Sequence, residues 1–366
     1  MSKAHLFTSF SLGNLVLPNR IVVAPMCQYS AEDGCMTDWH TLHLGHLALS
    51  GAGLLTIEAS AVEAEGRITY GDVGIWSDEC EAAMGQVVES IRRWSDIPLA
   101  LQLAHAGRKA SEEVPWKGRE QILPGQEGGW QTVSSSPTPF QDGENPPVEL
   151  DREDLARLRR SFAEAAQRAA RLGMECVQVH SAHGYLLHQF LSPLSNQRSD
   201  EYGGSLENRL RFPLEVFEAV REAFPADRPV TVRVSGTDWV DGGWDIEQTV
   251  AYAQALEARG CAAIDVSSGG LSPRQQVNGG PSYQVPLARR VKEATSMPVM
   301  AVGLITEFEQ AEAIVGTGDA DLIALARGLL YNPRWPWHAA AHFGATVKAP
   351  NQYLRSQPRQ HSGLFG

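Results

Sequence analysis

The chain has 366 residues, 43% of them hydrophobic, enough for one large domain or two medium ones, and its formal net charge of −12 argues against a nucleic-acid partner or an anionic membrane surface. Its five cysteines (Cys27, Cys35, Cys80, Cys176, Cys261) are scattered without a CxxC pair, which speaks against a disulfide framework or a cysteine-held cluster and fits a reducing compartment. No apolar run approaches the length of a membrane span and Met1-Ser2-Lys3-Ala4-His5 leads into no signal-peptide core, so the expected location is cytoplasmic.

Arg20–Pro25 reads as a buried strand stopped by proline, followed by the loop Met26-Cys27-Gln28-Tyr29 and a helix over about Thr37–Leu49. Gly53–Glu58 is a second strand, Asp78 is expected to cap a helix running to about Ser95, and Leu99–Ala104 is the third strand. His105 to about Val148 is long and irregular, rich in Gly, Pro and Ser, and a loop of this length inside a compact domain is usually a lid or a binding loop. A helix from Asp151 to about Leu172 leads into a fourth strand, marked by the alternation of Val177 and Val179. The pattern then repeats: a helix near Ser205–Phe224, strand Val230–Val234, a helix near Ile246–Arg259, strand Ala263–Val266, a helix near Pro286–Thr295, strand Pro298–Val302, a helix near Glu307–Val315 and strand Asp321–Ala326. A last helix falls near Trp335–His342. Eight strands alternating with helices require parallel pairing through crossovers, and eight units close a barrel. The expected fold is therefore α/β, a single (β/α)8 TIM barrel over about 20–343 with a C-terminal tail over about 344–366, all one domain.

Such barrels carry their chemistry at the carboxyl ends of the strands. The fourth strand ends in His180, His183 and Tyr185. A lone histidine is more often a satisfied core residue; two imidazoles and a phenol within six residues argue for a site. The His-x-x-His spacing would serve zinc only with further ligands, and no HExxH or cysteine pair accompanies it. The stronger reading is a pair of hydrogen-bond donors gripping a carbonyl oxygen, with Tyr185 as proton donor. The other strand ends offer Cys27 and Tyr29, Glu58-Ala59-Ser60, Gln102 with His105, Arg108 and Lys109, then Arg233, Ser267-Ser268-Gly269-Gly270, Gly303, and Ala326-Arg327-Gly328. Loops after strands seven and eight are the usual phosphate site of this fold, which Gly303, Ala326 and Arg327 suit. Gln102 and Arg233 can hydrogen-bond a polar heteroaromatic ring in the mouth; the alternative for Arg233 is a salt bridge to an acid inside the barrel, and for Cys27 a small buried hydrophobe.

Pro25-Met26-Cys27-x-Tyr29, Gln102-Leu103-x-His105-Ala106-Gly107-Arg108-Lys109, His180-x-x-His183-Gly184-Tyr185 and Asp200-Glu201-Tyr202-Gly203-Gly204-Ser205-x-Glu207-Asn208-Arg209 resemble the Old Yellow Enzyme family of flavin-dependent ene reductases. The chain looks like its thermophilic-like and bacterial xenobiotic reductase branch, which carries cysteine where other branches have threonine. The resemblance covers nearly the whole chain. It implies FMN held noncovalently, with Pro25, Met26, Cys27, Ala59, Gln102 and Arg233 on the flavin ring and Gly303, Ala326 and Arg327 at its phosphate. It also implies NADPH or NADH as reductant and electrophilic alkenes (enones, enals, maleimides) as substrates. His180 and His183 would bind the substrate carbonyl, Tyr29 would line the substrate face, and Tyr185 would protonate the α carbon after hydride reaches the β carbon. No GxGxxG follows a strand, which fits a nicotinamide that visits the flavin face. Ala326 stands where close relatives often have glycine but keeps the N–H, the loop with Trp116 and Trp130 is longer than in compact relatives, and Val302 replaces a pocket tryptophan of some xenobiotic reductases.

Asn351-Gln352-Tyr353-Leu354-Arg355 resembles the segment that in this branch reaches a neighbouring protomer's active site, which implies a homodimer or dimer of dimers with Arg355 completing the partner's pocket. The bland alternative is a frayed terminus, since chain ends are usually mobile. Rival readings are a dienoyl-CoA reductase, which looks different in carrying a four-cysteine iron–sulfur site, a flavin-free phosphate-binding barrel lyase or isomerase, and a silent flavin binder.

Overall fold

In the computed structural model, which describes residues 4–366, eight strands pair in parallel around a closed ring. Met1-Ser2-Lys3, where the signal-peptide reading begins, lie outside the described residues. The barrel strands are Ile21–Val23, Leu54–Ala61, Leu99–Ala104, Cys176–Ser181, Val230–Ser235, Ile264–Ser267, Val299–Val302 and Leu322–Leu325, the last closing on the first through Ile323 opposite Ile21 and Leu325 opposite Val23. Every residue of these strands is buried. Helices cover the outer face and side chains fill the inner one, so the strands appear in the sequence as short apolar runs.

Ten helices accompany them among the described residues: α1 (Asp38–Ala48), α2 (Asp78–Arg92), α3 (Arg152–Arg171), α4 (Leu186–Leu191), α5 (Leu206–Ala223), α6 (Ile246–Glu257), α7 (Val285–Ala294), α8 (Phe308–Gly316), α9 (Arg327–Tyr331) and α10 (Trp335–Phe343). None is long and apolar enough to cross a membrane. The longest, α3, is specified locally. Asp151 caps it reciprocally with Asp154, and Leu155, Leu158, Phe162, Ala165, Ala166 and Ala169 recur on one buried face. The expected cap of α2 is corrected by one residue: Ser77 is extended and its hydroxyl accepts from the Cys80 N–H, leaving Asp78 as the first helical residue.

The amino-terminal end of the barrel is plugged by an antiparallel hairpin, Phe10–Leu12 with Leu15–Leu17. Its fully buried Leu12 and Leu17 pack in one cluster with Leu54, Ala100, Cys176 and Leu322, residues from the starts of four strands. The long stretch after the third strand is irregular, as expected, but anchored. Val133–Ser134 pairs with Val148–Glu149, the Ser134 and Ser135 hydroxyls donate to the side chain and backbone oxygens of Gln189 (2.9 Å each), and Arg108 donates to the carbonyls of Thr138 (3.1 Å) and Pro139 (3.2 Å).

The tail turns back on itself. Val347 N–H donates to Leu364 O at 2.8 Å, Leu364 is buried, and the Phe365 ring meets Trp337 at 4.8 Å between centroids. Arg355 therefore sits exposed on a 3-10 turn (Asn351–Ser356) inside a tethered loop, and the picture of a frayed end does not apply.

Removing the plug should be costly. Leu12→Ala is expected to lower stability by roughly 2–5 kcal/mol, while Val16→Ala on the exposed face of the same hairpin changes it by less than about 0.5 kcal/mol, both read by urea unfolding.

Candidate active site

The carboxyl ends of the strands converge at the opposite end of the barrel from the plug. The first strand runs out through Pro25 and Met26 to Cys27, which shares a small apolar cluster with Tyr185, Ile68, Ala106 and Ala110. Burial, with Asp72 and Glu58 nearby, pushes the Cys27 thiol well up, so it stays protonated. The loop beyond is pinned from below: Gln28 N–H donates to Glu58 Oε2 at 2.9 Å, and Glu58 Oε1 lies 3.6 Å from Nε2 of the buried His40 on α1. Tyr29 adopts φ 53°, and its hydroxyl accepts from Arg119 Nη2 at 3.1 Å. Trp116 meets the Tyr29 ring edge-on at 6.1 Å, so the long loop covers this face.

The second strand continues past Glu58 to Ala61, with a register shift against its neighbour between Ile57 and Ser60. Ala59 thus sits in a bulge, a common way of re-aiming backbone beside a site. On the third strand Gln102 donates its amide to Gln178 at 2.7 Å; both are buried. Lys109, just beyond, donates to the carbonyls of His183 (3.0 Å) and Gly270 (2.9 Å), and its ammonium stands 5.2 Å from the Tyr185 ring centroid. Burial pulls Lys109 down to about 8.

His180, His183 and Tyr185 are brought together in a perpendicular arrangement. The two imidazole centroids are 5.2 Å apart at 89°, and the His180 and Tyr185 rings 5.0 Å apart at 78°. His180 Nδ1 accepts from the Ala182 N–H at 3.3 Å, which leaves Nε2 as the protonated, donating nitrogen. His183 Nε2 lies 2.7 Å from the Ser267 hydroxyl. Burial, reinforced by Arg233, holds both imidazoles far below their usual value, and burial likewise raises Tyr185 well above its own. The constellation is two neutral imidazoles and a protonated phenol.

Of the two readings left open for Arg233, the ion pair is present: Nε lies 3.1 Å from Asp265 Oδ2 on the neighbouring strand, in bent geometry. Nε faces Asp265, so the pair does not exclude contact of the far end of the guanidinium with a ligand. At the seventh and eighth strands a cavity of about 180 Å³ is lined by Ser267, Val302, Gly303, Ala326 and Arg327. Gly303 has φ +114°, and a Cβ there would come within 2.3 Å of Gln284 Nε2, so only glycine fits. Arg327 opens α9, a short extra helix in which the Leu329 and Leu330 N–H groups donate to Ala326 O, while those of Arg327 and Gly328 have no intrahelical partner. A phosphate-sized cavity, a backbone bare of a side chain, a cation and a helix start fit the phosphate of FMN, and the Gln102 amide with Arg233 fits a polar ring.

Sequence reasoning assigned no role to Glu58, Lys109, Ser267 or Gln284. The first three stood at strand ends and were visible as candidates; Gln284, whose amide donates to Val302 O at 2.8 Å, enters from the start of α7 and carries no local signal. Arg355, exposed on the tail, is not part of this chain's own constellation.

A family model described as NADH:flavin oxidoreductase / NADH oxidase matches residues 5–344. The chain is 42% identical over 363 residues to an NADH:flavin oxidoreductase of Gibberella zeae, covering 94% of this chain and 87% of that one. It is 40% identical over 352 residues to an NADPH dehydrogenase of Geobacillus sp., covering 96% and 98% respectively. The solved structure of morphinone reductase in complex with tetrahydroNAD superposes with a TM-score of 0.76 at 28% identity, over 99% of this chain and 94% of that one.

The protonation state of the imidazole pair is directly testable. Their folded values lie below the unfolded one, so the unfolded chain binds more protons once the pH falls below about 6.5, and both groups then subtract stability. The ring-carbon NMR signals of His180 and His183 should stay at neutral-imidazole positions from about pH 8 to about pH 6, the range in which a solvated histidine titrates. A titration centred near the ordinary histidine value would mean that water reaches the pair.

Proposed function

Because the chain belongs to the NADH:flavin oxidoreductase / NADH oxidase (Old Yellow Enzyme) family, and is an NAD(P)H-dependent FMN oxidoreductase of the ene-reductase kind, we propose that it reduces α,β-unsaturated carbonyl compounds (enones, enals and maleimides) with Tyr185 as proton donor. The observation that carries this reading is the set of two neutral, perpendicular imidazoles beside a protonated phenol at the barrel mouth.

FMN, once reduced by NAD(P)H, supplies the hydride that reaches the β carbon of the alkene. In this reading Pro25, Met26, Cys27, Ala59, Gln102 and Arg233 hold the ring, and Gly303, Ala326 and Arg327 hold the phosphate. His180 donates from Nε2 and His183 from its ring toward the substrate carbonyl oxygen, stabilising the negative charge that develops there. Neutral imidazoles suit this, since they keep a proton to donate without a full charge buried in the absence of substrate. Tyr185 delivers its phenolic proton to the α carbon. Tyr29, with Trp116 and Arg119 behind it, walls the substrate side and helps exclude water.

The purified protein should be yellow, bleach with NADPH under anaerobic conditions and regain colour on addition of 2-cyclohexenone. Tyr185→Phe should leave the bleaching step nearly intact and slow the recovery by roughly 10²–10⁴-fold, the usual range for loss of a general acid. Equal slowing of both steps in stopped flow would remove Tyr185 from this role.

The oligomer belongs to the same reading. The tethered tail presents Arg355 outward, and a cation delivered to a neighbouring mouth would favour the negative charge formed there. In a homodimer or dimer of dimers, Arg355→Ala should raise KM for enones several-fold and leave flavin bound, with Leu364 and Phe365 still docked. Unchanged kinetics, or a fully active monomer at micromolar concentration, would count against it.

A further inference from the structure

The loop that carries His183 and Tyr185 has an unusual backbone. His183 and Gly184 are consecutive residues with positive φ, 58° and 74°. A histidine in the left-handed region is disfavoured by roughly 1–2 kcal/mol, so the surroundings must hold it there. They do so completely. His183 N–H donates to Ser235 Oγ at 2.9 Å and His183 O accepts from Lys109. Gly184 N–H donates to His188 Nδ1 at 2.9 Å, and Gly184 O accepts from Gln189 Nε2 at 2.7 Å. All four backbone polar groups of the two residues are thus taken by side chains, those of Ser235, Lys109 and the adjacent α4 residues His188 and Gln189. The space is equally defined, since a Cβ on Gly184 would lie 2.2 Å from Gly270 O.

One of the four is itself set by a further group. His188 is fully buried on α4, and because Nδ1 accepts from Gly184, its proton resides on Nε2. Nε2 lies 2.9 Å from Oδ1 of Asp238, also fully buried, in a bent contact. The other Asp238 oxygen accepts from the Ser192 hydroxyl at 2.7 Å and the Trp244 N–H at 2.8 Å. Burial works to raise this carboxyl; His188, Ser192 and Trp244 outweigh it and keep it a carboxylate. A carboxylate at Nε2 selects the tautomer that leaves Nδ1 free to accept.

We infer that His188 and Asp238 are positioning residues for proton delivery: Asp238 fixes the His188 tautomer, His188 fixes the Gly184 peptide, and that peptide aims the Tyr185 side chain that follows it. The inference rests on the reading of Tyr185 as proton donor. Neither residue touches the substrate space, and a purely structural role would need only that the pair be satisfied and packed.

Two substitutions at His188 separate these roles. In His188→Asn the amide oxygen takes the place of Nδ1 and keeps the Gly184 bond, while the Asp238 contact is lost. His188→Gln reaches Asp238 but gives up the Gly184 acceptor. Positioning requires that recovery of the reduced enzyme by 2-cyclohexenone be slowed about 10–10²-fold in His188→Gln, the scale of a small misplacement of a reacting group, and much less in His188→Asn. Bleaching by NADPH should change by less than about twofold in both, a margin small beside such misplacement effects. Satisfaction and packing alone demand the opposite order, because His188→Asn strips the buried carboxylate of its partner. Asp238→Asn gives a second route if a His188 variant does not hold flavin. The Trp244 N–H keeps the amide oxygen on its own side, so the NH2 faces His188, forces the proton onto Nδ1 and should slow recovery in the same way. On a Tyr185→Phe background neither change should slow recovery further. Equal slowing of the two His188 variants, the reverse order, or a wild-type rate in both His188→Gln and Asp238→Asn would overturn the inference. If Tyr185→Phe itself recovers at the wild-type rate, the reading of Tyr185 fails first and the positioning role falls with it.

Discussion

Closing eight parallel strands into a ring sends every strand end to one rim, and the rest of the molecule follows from that constraint. Residues far apart in the chain, from Cys27 to Arg327, become neighbours without any long-range device other than strand order. The amino-terminal rim has no such duty and is free to be sealed by the Leu12–Leu17 hairpin. A plug below and chemistry above divide the molecule into a half that supports the fold and a half that acts.

Burial sets the electrostatics of the acting half. Desolvation pushes the imidazoles down, the phenol and the Cys27 thiol up, and Lys109 down to about 8, so these five groups move toward neutrality before any ligand arrives. Charges that persist there are paired or spread: Arg233 with Asp265, Lys109 over two carbonyls and an aromatic ring. Such a mouth can strengthen a developing charge on a substrate oxygen, since little water competes for it.

Much of this was legible in the sequence, for identifiable reasons. Strands buried on both faces read as short apolar runs, and all eight were found within a few residues of their ends. The fourth strand end was legible because its three candidate side chains fall within six residues. What stayed hidden depends on folding in space. The partner of Arg233 is on the next strand, the bulge at Glu58–Ala59 is a mismatch between two strands, and Gln284 arrives from a helix. The short helices α4 and α9 are too brief for periodicity to register, and the return of the tail onto Trp337 depends on a contact with α10. The cap of α2 was missed by one position because Ser and Asp are both good caps and only the hydrogen bond chooses between them.

The anchoring of the long loop has a consequence for how this scaffold can be altered. Ser134 and Ser135 hold Gln189 by its side chain and its backbone, and the same Gln189 holds the carbonyl of Gly184. The loop and the turn that carries Tyr185 therefore share one residue, and a displacement of either is felt by the other. Exchanging the whole loop to change substrate range would alter turnover chemistry along with selectivity. A graft confined to the outer portion around Trp116, leaving both serines in place, would keep the two properties separable.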